Sequence, residues 1–203
     1  MAIINDVYDF GPKYEGFISG DDVRWDDLRF PSQGINAPGA AGDPDIEATT
    51  GLWLFADNLT ETLAGVAQMP HSWLEESTIV PHVHWQKTNG TSPTGVVLWQ
   101  FDYEIVNNGD VAAMNYPNQL QSTTVADGTP DDGTANRVLI STFGNVSMRD
   151  KKISTLIFWK LSRIGGDVAD TQTGDARLIE FDIHYMVDGR GSQLPFSKQD
   201  WGK

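Results

Sequence analysis

The run 95-GVVLWQFDYEIV-106 alternates almost without a break: Val97, Trp99, Phe101, Tyr103 and Ile105 fall on one side of an extended chain, and Gln100, Asp102 and Glu104 on the other. A period of two over this length is the pattern of a strand with one face in a core and the other outside it. The same reading extends along most of the chain. Short apolar runs rich in β-branched and aromatic residues recur at 51–56, 62–69, 78–87, 118–125, 136–143, 153–164 and 177–187. Between them lie 88-TNGTSPTG-95, 107-NNGD-110, 127-DGTPDDGT-134 and 165-GGDVADTQTGD-175, rich in residues that supply positive φ or Asx turns. No segment carries a sustained helical stripe. The expectation is an all-β protein with about eight strands, arranged as a two-sheet antiparallel β-sandwich of jelly-roll or Greek-key type.

Outside this body the pattern fades. Residues 1–48 are rich in Gly, Pro and Asp, as in 31-PSQGINAPGAAGDPD-45, and read as an extended, loop-rich N-terminal arm. The body spans 49–191, and 192-SQLPFSKQDWGK-203 reads as a polar C-terminal tail. Aromatics in terminal segments have little of their own to bury against, so Trp25, Phe196 and Trp201 are candidate contacts with a neighbouring subunit. Packing back onto their own domain is the competing reading.

The 203 residues suffice for one domain with a real core. The absence of cysteine removes thiolate chemistry and thiolate metal sites. A formal charge of −14 argues against a phosphate backbone as direct partner, and the largest basic cluster is only 149-RDKK-152. No apolar run reaches the roughly 18 residues needed to span a bilayer, and the start of the chain lacks the pattern of a signal peptide. The expectation is therefore a protein made in a cytoplasm, with neither nucleic acid nor membrane as partner.

The chain's histidines raise the question of a metal. In 79-IVPHVHWQ-86 the alternation places Ile79, Pro81, Val83 and Trp85 toward the core and His82 and His84 away from it. In 177-RLIEFDIHYMV-187 it places Ile179, Phe181, Ile183, Tyr185 and Val187 inward and Glu180, Asp182, His184 and Met186 outward. If these strands and 95–106 are neighbours, the histidines form one patch with Asp102, Glu104, Glu180 and Asp182. Three readings stay open. The patch is an ordinary polar sheet surface with cross-strand pairs, or a polar interface where His82 and His84 from three chains hold a divalent or transition metal on a symmetry axis, with His184 as an alternative ligand. The third is a metal centre within one chain. Cupins begin a metal site with a similar H-x-H, but here Trp85, Gln86, Lys87, Thr88 and Asn89 follow, without the glutamate that pattern requires.

Other chemistry is thinner. No nucleophile elbow, phosphate-binding loop or zinc-protease helix motif occurs. The acidic loop 127-DGTPDD-132 lacks the alternating ligands of an EF-hand and is at most a calcium candidate. Pro70 and Pro81 withhold backbone donors, so the strand at 78–87 is not expected to be fully paired along its length. Of seven tryptophans, Trp53, Trp85, Trp99 and Trp159 read as core, and Trp25, Trp73 and Trp201 as surface.

Three groups of phrases, 24-RWDDLRFP-31, 69-MPHSW-73 with 81-PHVHW-85, and 159-WKLSRIGGD-167 with 180-EFDIHY-185, resemble virion-associated structural proteins of tailed bacteriophages. The similarity spans roughly residues 22–191. It implies a non-enzymatic virion component of the capsid-decoration, head-fibre or tail type, a homo-oligomer such as a trimer, with capsid or tail proteins as partners. It carries no catalytic residues. A carbohydrate-binding receptor module of the same particle is the alternative, and a cupin-like metal enzyme stands third.

Overall fold

The computed structural model describes residues 24–39, 41–88, 95–114, 121–123, 126–127, 134–188, 191–192, 194–195 and 197–198. They form an all-β, two-sheet antiparallel sandwich. The strands are β1 (Arg24–Pro31), β2 (Asp45–Ile46), β3 (Trp53–Phe55), β4 (Thr60–Gln68), β5 (Ile79–Lys87), β6 (Trp99–Val106), β7 (Gln121–Thr123), β8 (Ala126–Asp127), β9 (Val138–Thr142), β10 (Leu156–Ile164) and β11 (Ala176–Val187). One sheet runs β2-β3-β11-β5-β9-β8, with β1 also pairing β11, and the other runs β4-β10-β6-β7.

The connectivity is that of a jelly roll. The chain pairs with itself from both ends inward, β3 with β11, β4 with β10, β5 with β9 and β6 with β7. This long hairpin then folds over, so that β11 joins β5 in one sheet and β10 joins β6 in the other.

The inward faces meet in an aromatic core. Trp159 of one sheet lies 4.7 Å from Phe181 of the other, and Trp85 lies 6.0 Å from Trp99, centroid to centroid. Opposite Trp159 in the β4·β10 register stands Gly65. A Cβ there would come within 2.4 Å of the indole ring, so glycine is the residue that leaves Trp159 room. The alternation of β6 holds from Trp99 to Glu104, with Trp99, Phe101 and Tyr103 buried, and fades at its end, where Ile105 is half-buried and Val106 buried.

Three local readings change. Residues 24–31, assigned to the irregular arm by composition, form β1 and pair with β11 along their whole length. Leu28 and Phe30 turn inward opposite Ile183 and Phe181, while Trp25, Asp27 and Arg29 turn outward. In β11 the register slips between Leu178 and Glu180, leaving Ile179 as the extra residue of a bulge. The inward set is therefore Ala176, Leu178, Phe181, Ile183 and Tyr185, and Ile179 lies outside the core cluster. Finally, Trp73 is fully buried and donates its indole N–H to Ser77 Oγ.

β5 is central yet incompletely paired. It meets β11 from Ile79 to Lys87, whereas its β9 ladder begins at His82. On that side the Pro81 carbonyl accepts from Phe143 N–H, and proline has no N–H to return the bond.

Candidate functional site

The outward face where β1, β11 and β5 lie side by side gathers an ionisable cluster. Register sets it: His82 stands opposite Asp182, His84 opposite Glu180, and His184 opposite Asp27. Cross-strand partners on one face are close enough for direct contact between side chains. His84 Nε2 lies 3.0 Å from Asp182 Oδ2, and His184 Nε2 lies 3.0 Å from Asp27 Oδ1. At the rim, Arg29 clamps Glu180 through two bonds of 2.5 and 2.7 Å.

The centre of the cluster is less settled. His82 Nδ1 and Asp182 Oδ1 are 3.5 Å apart, and the His82 and His184 rings stand 3.9 Å apart between centroids. His82 is 9% exposed and Asp182 4%. Both His82 Nδ1 and Asp182 Oδ1 are shielded from solvent and have no well-formed hydrogen bond among the described residues, although the Val80 backbone lies near enough to the His82 ring to favour its charged form. The pair attracts electrostatically at 3.5 Å, but its geometry satisfies neither atom. Leaving a buried polar atom unpaired costs about 1–3 kcal/mol, so this arrangement is expensive for a sheet surface that a valine or threonine could fill.

Protonation follows from the same contacts. Burial pushes His82 below its ordinary value, and the neighbouring His184 adds to that, while Asp182 pulls the other way. His84 moves up because its ring bonds the Asp182 carboxylate, against the effect of its own burial. Burial raises Asp27, partly opposed by His184. The two histidines of one H-x-H are thus driven apart, one toward the neutral ring and one toward the charged ring.

His82, Asp182 and His184 each present a ligand atom within 4.8 Å of the other two. His84 faces the far oxygen of Asp182 and flanks this triplet without joining it. Asp102 and Glu104 do not take part: β6 belongs to the other sheet, so their outward face is the opposite surface of the sandwich. Trp25 is 42% exposed and its ring lies 6.4 Å from His184. Phe196, Trp201 and most of the 127–132 loop lie outside the described residues. Asp27 and Arg29 are members of the site that sequence reading passed over. The signal was the D-L-R-F alternation of 27–30, too short and too charged to stand out from the arm around it.

No family model matches this chain, and no curated protein matches it. Among solved structures, an arabinose-bound α-L-arabinofuranosidase shares 10% identity over 80% of this chain and 23% of its own, with a TM-score of 0.32. A likeness of that depth assigns no chemistry. Among the described residues, no helix is long and apolar enough to cross a membrane.

Proposed function

We propose that this protein is a non-enzymatic structural component of a tailed-phage virion, a homo-oligomer that decorates or stabilises the capsid or belongs to a tail or fibre assembly. One observation carries the reading. Three of the phrases that resemble virion proteins fall on three adjacent strands, 24-RWDDLRFP-31 on β1, 180-EFDIHY-185 on β11 and 81-PHVHW-85 on β5. The resemblance therefore coincides with one continuous surface, and its outward residues are the ones that form the polar cluster. A jelly-roll body that can meet copies of itself and a shell suits that role.

The carbohydrate-binding alternative needs exposed aromatic faces. Trp73, Trp85, Trp99 and Trp159 are buried and Trp53 is half-buried against the core, which leaves Trp25 as the exposed ring among the described tryptophans. The deciding experiment is solution mass together with co-sedimentation. The expected result is a homo-oligomer at micromolar concentration that sediments with assembled particles. A strictly monomeric protein with no affinity for particles overturns the proposal, and glycan binding that disappears in Trp25→Ala would favour the receptor module.

A further inference from the structure

We infer that the outer face of the β1-β11-β5 sheet holds a divalent first-row transition ion of the zinc class, bound within a single chain by His82, Asp182 and His184. The inference goes beyond the virion reading and stands or falls separately from it.

The donor atoms make the first argument. Two imidazoles and one carboxylate suit borderline divalent ions such as Zn²⁺, where calcium and magnesium prefer oxygen alone. Ligand atoms about 2.0–2.1 Å from a tetrahedral ion lie about 3.3–3.4 Å from one another. His82 Nδ1 and Asp182 Oδ1 are 3.5 Å apart, shielded from solvent, and without a well-formed hydrogen bond among the described residues. Two buried acceptor-capable atoms that face each other at this spacing have the geometry of two ligands to one ion. A single ion between them would satisfy both.

The surrounding groups make the second argument. Metal-bound histidines commonly give their other ring nitrogen to a carboxylate, and bound carboxylates are themselves hydrogen-bonded. Here His184 Nε2 is held by Asp27, which leaves its other ring nitrogen for the ion, and Asp182 Oδ2 is held by His84 Nε2. Two of the three donors thus have an outer partner on a neighbouring strand. Because all three ligands come from one chain, no symmetry axis is needed. A three-residue set leaves coordination positions for water on the exposed side of His184.

The test uses tag-free, full-length protein stripped with a chelator and titrated with Zn²⁺ by calorimetry, with Co²⁺ as a paramagnetic probe. Saturable uptake of one ion per chain is expected, with a rise in thermal midpoint on binding. Asp182→Asn and His184→Gln should abolish saturable binding, and Asp27→Asn should weaken it by about 10–100-fold. His71→Gln, remote from the cluster, should leave it unchanged. In the unaltered protein, Co²⁺ should broaden the ring resonances of His82 and His184 and spare those of His71, which reads the site even if a variant fails to fold. An absence of saturable micromolar binding, binding indifferent to these substitutions, or one ion per three chains would each overturn the inference.

Discussion

Among the described residues, the Arg163–Asp170 and His82–Asp182 clusters are both buried, and they are built to opposite standards. At one end Arg163 is fully buried, and all of its donors are used. Nε and Nη2 bond the two oxygens of Asp170 at 2.9 and 2.8 Å, and the remaining N–H groups reach the carbonyls of Phe55, Gly174 and Gln172 at 2.9 Å each. Asp170 Oδ2 accepts Leu98 N–H as well. A guanidinium offers five N–H donors, and here each has an acceptor. On the outer face of the other sheet, His82 and Asp182 are nearly as buried yet leave Nδ1 and Oδ1 unpaired. A saturated cluster holds the chain's loops to its strands. One left open at its centre has a binding capacity that folding has not consumed.

The contrast can be broken first at its rigid end. Arg163→Met should strand the Asp170 carboxylate and cost about 3–5 kcal/mol, read as a fall in urea midpoint. A loss below about 1 kcal/mol would show that the saturated network contributes little beyond packing. The open cluster should respond less. Asp182→Asn in metal-free protein removes the charge from the bond that His84 makes, and should cost about 1–2 kcal/mol by the same measurement.

The smallest effect is the most discriminating. His82→Leu removes an unpaired atom along with the ring, so metal-free stability near pH 7 should change by less than about 1 kcal/mol in either direction. Its sign should then depend on pH. The unfolded chain takes up a proton on His82 near the ordinary value of 6.5, and the folded chain does so lower, so wild-type protein loses stability relative to His82→Leu as pH falls below 6.5. His84 behaves oppositely. Its folded value is raised, so its contribution is complete below 6.5 and is lost as pH climbs through the raised value. His84→Gln should therefore be most damaging in acid. Thermal midpoints of the three proteins across this range check both signs, and parallel curves would refute the split between the two histidines.

Much of this could be read from residue order. The period of two in 79–86, 95–106 and 177–187 marked strands and their faces, and it turned His82, His84 and His184 outward. It failed where the backbone departs from the pleat. At Ile179 a bulge reverses the faces on its N-terminal side, so Leu178 takes the inward place. It also failed where the run is short, as in β1, whose place in the sheet comes from pairing with β11 more than from propensity.

By itself, then, the sequence determined an all-β chain and the faces of its longer strands, because side-chain direction in a strand is a local consequence of the pleat. Only the tertiary structure decided which outward residues meet. It put Asp27 beside His184, sent Asp102 and Glu104 to the opposite surface, and brought His84 to Asp182 across 98 residues of sequence. Strand adjacency is set by long-range pairing and core packing, and no local period encodes it.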